Sequence, residues 1–178
     1  MLFRSLKADV LITSAGVSAG DRDLVRGVLD ELGAGQIFWK VGVKPGGPTA
    51  FAIYGSTPVF SLPGNPVSTM ITFEEFVRPA LLKMLGQQRV LRPLFRAVLR
   101  EDVQKKPGKV QIVRVRLERE GGRWFAGSAG NQQTAILKTM VDAQALAVLP
   151  ADSGNFAAGD EVDVHFYGNY CDLMEAAR

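Results

Sequence analysis

The chain has 178 residues, 47% hydrophobic and 22% charged, with a formal charge of +3 and an isoelectric point near 9.2, values that exclude a disordered chain and fit one or two small globular domains. Lys and Arg are scattered rather than gathered into a run, so no nucleic-acid surface is expected, and the mild positive excess suits an anionic metabolite equally well. The single cysteine, Cys171, excludes an internal disulfide framework, and neither a secretory leader nor an apolar run of about 18 residues is expected, which points to a soluble cytoplasmic protein without membrane association.

In chain order, Asp9 to Thr13 reads as a short apolar strand of the buried parallel type. Asp23 to Leu32 follows as a helix with Leu24, Val25, Val28, Leu29 and Leu32 on one stripe, Asp21 or Asp23 as N-cap, and Gly33 as its stop. Gln36 to Val43 alternates as a second strand, with Ile37, Trp39, Val41 and Val43 on one face and Phe38, Lys40, Gly42 and Lys44 on the other. A loop long enough for a small hairpin leads to a third strand, Thr57 to Leu62. Asn65 and Pro66 are the cap and first-turn residues of a long helix running toward Leu85, which Pro79 should bend or split.

After Gly86 the pattern changes to short strands parted by turns. Phe95 to Glu101, Val110 to Glu118, Arg123 to Gly127, Ala145 to Leu149 and Glu161 to Tyr167 are the candidates, with Glu120-Gly121-Gly122 as a hairpin turn. The fold class expected is α/β: a short three-layer α/β domain with a mainly parallel sheet over residues 1–88, then a small all-β barrel over 89–178. Three strands make an unusually short sheet, as if its opening were missing.

Three strand-end loops carry the functional expectation, because an open α/β sheet presents backbone N–H groups and helix N-termini to anions at that edge. The first holds Ser14, Gly16, Val17, Ser18 and Gly20, whose small side chains would let amides point at a pyrophosphate; a tight strand-to-helix connection is the equal alternative. The second runs from Lys44 through Pro45 and Gly46 to Pro48, and the third is Pro63, Gly64, Asn65 and Pro66. On one continuous strand Lys40 and Lys44 would be separated by roughly 13 Å, a span suited to two anionic groups of one ligand, or else they are solvated edge lysines. Asp23 is a helix cap or, beside phosphate, a carboxylate bridged by a cation or bound to a sugar hydroxyl. His165, alternating with Val164 and Phe166, is expected to be an exposed polar residue on the outer face of its strand.

Asp9 to Gly20, Lys40 to Pro48, and above all Leu62-Pro63-Gly64-Asn65-Pro66-Val67-Ser68 followed by Phe76-Val77-Arg78-Pro79-Ala80-Leu81 resemble the C-terminal half of molybdopterin molybdenumtransferase and the related gephyrin E region. A weaker likeness rests on Val113-Arg114-Val115, Val148-Leu149-Pro150 and Gly159-Asp160-Glu161-Val162. The resemblance implies that adenylylated molybdopterin is bound, that molybdate is inserted as substrate, that AMP leaves, and that Mg2+ assists. It implies a homodimer, or a chain completed by a separate N-terminal half. Matched position by position, it assigns catalytic roles to Asp23, Lys40 and Lys44, and a place against the ligand to the loop from Pro63 to Pro66. Ala15 stands where the family more often has a second glycine, and Gly47 where it usually has a lysine, a change that removes a positive charge. A non-catalytic binding or assembly module is the alternative reading.

Overall fold

A computed structural model of the chain describes residues 8–17 and 24–167. Four strands, β1 (Leu11–Ser14), β2 (Gly35–Trp39), β4 (Ala50–Tyr54) and β5 (Thr57–Leu62), form one sheet in the order β1-β5-β4-β2. Only β1 and β5 are parallel; β5 with β4 and β4 with β2 are antiparallel, so the sheet is mixed rather than mainly parallel. The difference arises at Ala50–Tyr54, which makes a tight hairpin with β5 through Gly55, at φ +60°, a conformation glycine adopts without strain.

The sheet's alternation supplies two apolar faces. Ala52 and Val59 pack with Leu29 of helix α1 (Val25–Glu31) on one side. Phe60 and Leu62 pack with Val77, Ala80 and Leu81 on the other. Helix α1 is loosely held: none of its residues is buried, and Leu24 (67% exposed) and Val28 (42%) of the expected stripe face outward.

The long helix divides as Pro79 predicts. Helix α2 (Pro66–Thr72) passes through one π-helical turn, Phe73–Val77, into α3 (Arg78–Met84). Pro79 has no N–H to continue the ladder, and the wide turn lies immediately before it.

The second strand of the sequence reading is interrupted. After Trp39 the chain turns through Lys40, at φ +73°, and the next extended piece, β3 (Val43–Lys44), leaves the sheet to pair in parallel with β7 (Val110–Glu120). Strands β7, β8 (Arg123–Ser128), β6 (Phe95–Leu99), β10 (Glu161–Phe166) and β9 (Ala145–Leu149) follow one another around a five-stranded barrel that closes by pairing β9 with β7. Its interior is filled by Leu99, Val113, Val115, Leu149, Val162 and Val164. Between the sheet and the barrel, Val67 and Ile71 of α2 share a core with Ile112, Met140 and Leu146, Met140 coming from helix α4 (Lys138–Asp142).

Candidate functional site

The first and third loops meet at the C-terminal ends of the parallel pair. Ser14 Oγ donates to the Pro63 carbonyl (3.4 Å), and the Ala15 amide donates to the Leu62 carbonyl (3.0 Å). Each holds a glycine at which a side chain would crowd its neighbours. A Cβ on Gly16 would lie 2.8 Å from Val25 Cγ2, and one on Gly64 would lie 3.0 Å from the Ala15 Cβ. Gly16 and Ala15 share left-handed backbone, φ +75° and +72°. That explains physically why glycine is the natural residue at position 15, since a Cβ there costs about 1 kcal/mol or more. Val17 is buried, and its carbonyl accepts the indole N–H of Trp39 (3.1 Å). Ser18, Gly20, Asp21 and Asp23 lie outside the described residues.

Asn65 occupies the N-cap position of α2, yet its side chain makes no capping hydrogen bond. The Val67 amide in the first turn is taken instead by the Thr134 carbonyl (3.4 Å), from a barrel loop. Thr69 Oγ1 donates to the Pro63 and Asn65 carbonyls and fixes the turn from below. Gly64, Asn65 and Pro66 are exposed, whereas Pro63 is buried.

The second loop behaves differently. Pro45 and Gly46 are buried against α2, where a Cβ on Gly46 would strike Thr72 Cγ2 at 2.3 Å, and Thr49 Oγ1 donates to the Gly46 carbonyl (2.7 Å). These two residues therefore seat the loop on the helix, and Lys44 is its exposed cation. The interrupted strand also removes the simple spacing expected between the lysines. Lys40 lies with its ammonium 4.4 Å from the centre of the Trp39 ring, which also receives the Arg26 guanidinium at 4.3 Å. Lys44, opposite Gln111 on β7, lines an open cavity of about 800 Å³ together with Lys105, Lys106 and Lys109.

Two groups were not anticipated from sequence. Arg114, assigned no role beyond its motif, is 1% exposed; its Nε donates to Thr139 Oγ1 (2.9 Å) and its Nη2 to the carbonyls of Asn131 (3.3 Å) and Gln133 (3.4 Å). Burial lowers its pKa from the ordinary value, and no described carboxylate forms an ion pair with it. The signal was an arginine standing between valines on a strand buried on both faces.

His165 reverses its expectation: it is 4% exposed, with Nε2 2.9 Å from Glu75 Oε1. The strand's outer face is covered by the π-helical turn, which a period-two argument confined to one sheet cannot foresee. The same turn places Glu74 between Arg78 (2.7 Å) and Arg92 (2.6 Å). Burial, then Glu74, raise the Tyr167 phenol above its ordinary value, while Arg92 opposes them.

Among the described residues no three His, Cys, Asp or Glu side chains come together, and Asp23, the acidic residue to which the resemblance points, lies outside them. No helix among them is long and apolar enough to cross a membrane.

A mixed α/β sheet with glycine-tight strand-end loops is joined to a five-stranded β-barrel, and similarity to known proteins places this α/β-plus-barrel chain in a family. Residues 1–83 match the family described as probable molybdopterin binding domain, and residues 96–167 match the MoeA C-terminal region, domain IV. Proteins named molybdopterin molybdenumtransferase from Haemophilus influenzae and Synechococcus elongatus are 34% and 39% identical over 89% and 91% of this chain. Two crystal structures of the molybdopterin biosynthesis moeA protein of Pyrococcus horikoshii superpose with TM-scores of 0.68 and 0.75, at 24% and 26% identity, over 92% and 93% of this chain and 36% and 39% of theirs. The chain belongs to the molybdopterin molybdenumtransferase family and corresponds to its C-terminal part, spanning 39% of the length of those two relatives.

Proposed function

We propose that this chain acts in molybdenum cofactor biosynthesis, supplying the phosphate- and molybdate-facing part of a molybdenumtransferase site. Adenylylated molybdopterin lies across the loops around Gly16 and Gly64, molybdate is taken up at the pterin dithiolene, and cleavage of the phosphate link releases AMP. The carrying observation is the contact between Ala15 and Gly64, where two loops, each with a tightly packed glycine, converge beside the start of α2. Backbone that can approach a ligand closely, with small hydroxyls around it, is what phosphate recognition requires. Lys40 supports the reading, because a lysine held at φ +73° is a backbone strain of the sort found where a side chain must point in one direction. Lys40 and Lys44 act as cations toward the anionic reactants, and Asp23 as the carboxylate that receives Mg2+. The division at residues 88/89 and a cytoplasmic location belong to the same proposal. Isothermal titration with AMP, with molybdate and with adenylylated molybdopterin tests it; no heat from any of them at millimolar concentration overturns it.

A second reading has its own observation. Among the described residues strand β1 is an edge of its sheet, Ile12 on it is 40% exposed, and none of the residues of α1 is itself buried. Such an edge suits addition of further chain, from a second copy or from a polypeptide resembling the family's N-terminal half. On this reading the chain binds and assembles but does not turn over alone. Cofactor reconstitution with and without such a partner, with mass measured by light scattering, separates the two.

A further inference from the structure

We infer that Lys109, on the barrel, is an anion-binding residue of the site and supplies the positive charge that Gly47 does not; this rests on the phosphate- and molybdate-binding reading above. The loop from Lys44 to Pro48 has one cation of its own. At Gly47, however, the place a side chain would begin is already reached from the other side: the nearest side-chain atom to a Cβ built there is Lys109 Nζ, at 4.0 Å. The β3–β7 pairing makes that approach structural, since Val43 lies opposite Val110, Lys44 opposite Gln111, and the Val110 amide donates to the Gly42 carbonyl (2.9 Å). Lys109 is thereby carried alongside the loop by backbone hydrogen bonds, not by a flexible tail.

The surroundings are those of an anion site. Four lysines, Lys44, Lys105, Lys106 and Lys109, line the cavity of about 800 Å³, and no carboxylate does. Lys105 is 5% exposed, and its ammonium donates to the carbonyls of Ser153 (2.7 Å), Ala151 (3.3 Å) and Lys106 (3.5 Å). A buried ammonium neutralised only by carbonyl dipoles leaves net positive potential, and it also pins the segment that carries Lys109. Neither Lys44, Lys106 nor Lys109 forms an ion pair with a described residue. A concave space of this size fits a small oxyanion-bearing molecule better than a nucleic-acid backbone, which would need an extended track. The ligand class is a phosphate or molybdate oxyanion held between the strand-end loop and the barrel, with Lys44 and Lys109 on its two sides.

Titration calorimetry of the full chain with AMP, pyrophosphate and molybdate separately tests this, and shows which oxyanion sits there. Lys109→Met keeps the apolar stem and removes the charge; affinity for at least one probe is expected to fall about tenfold, the size of a charge-assisted hydrogen bond, with a shallower salt dependence. Adding Gly47→Lys to Lys109→Met should restore most of that loss, because the new side chain starts 4.0 Å from where the old ammonium lay and its Cβ meets only ordinary contacts of 3.6 Å or more. Lys83→Ala, on α3, should bind as the parent does. If the parent binds a probe and Lys109→Met binds it equally, or Gly47→Lys fails to rescue, this inference falls while the functional reading stands. If the parent binds none of the three probes, both fall.

Discussion

The barrel and the four-stranded sheet handle their edges in opposite ways. The barrel returns β9 to β7, leaves no edge within the ring, and fills itself with side chains such as Leu149 and Val164 at 0% exposure. Among the described residues the sheet has β1 at one edge, and helix α1, none of whose own residues is buried, packs on it through the half-buried Leu29. The ring thus pairs each of its strands on both sides, whereas the sheet keeps edges among the described residues. The strand-end loops sit on the sheet but are braced by the barrel, through the Val67–Thr134 hydrogen bond and the β3–β7 pairing.

The largest expected effect breaks the barrel. Leu149→Ala should destabilise the chain by about 3 kcal/mol, while Leu24→Ala at the N-cap of α1 should stay within about 0.5 kcal/mol. Urea denaturation midpoints of the two variants check the contrast, and comparable losses would mean that α1 is as tightly packed as the barrel. Arg114→Ala belongs with Leu149→Ala, at about 2–4 kcal/mol, because it empties buried volume and leaves Thr139 and two carbonyls without their donor.

A smaller effect concerns the joint between the parts. The Tyr167 phenol titrates above its ordinary value, so the folded chain holds that proton more tightly than the unfolded one. Its contribution to stability is complete below about pH 10 and is lost as pH rises through the raised folded value. Tyr167→Phe should flatten the alkaline limb of stability against pH relative to the parent, measured as denaturation midpoints from pH 8 to 11. An unchanged limb would remove the phenol from the joint's electrostatics.

What the sequence made legible follows from how local each cause is. The α2 start at Asn65-Pro66, the split before Pro79 and the five barrel strands depend on residues next to one another, and they stand as expected. Ala50–Tyr54 falls in the loop expected to have room for a small hairpin, and its pairing with β5, not its own short apolar run between prolines, makes it a strand. Arg114 and His165 were opaque for one reason. Each is buried by a segment far along the chain, the 131–139 loop and helix in one case and the π-helical turn in the other.

The smallest effects lie in the loops, and they separate ligand binding from folding. Ala15→Gly and Lys40→Gly each release a non-glycine residue from φ above +70°, and each should gain about 1 kcal/mol of stability. Their consequences for binding should diverge. Ala15→Gly leaves every hydroxyl and ammonium in place and widens the approach beside Gly64, so AMP affinity should hold or rise. Lys40→Gly is also relieved of strain but loses its charge and its contact with Trp39, and anion affinity should fall about fivefold or more. A chain that becomes more stable and binds less well would show that the strain at Lys40 is maintained for the ligand. Equal affinity in both variants would leave it a feature of the turn alone.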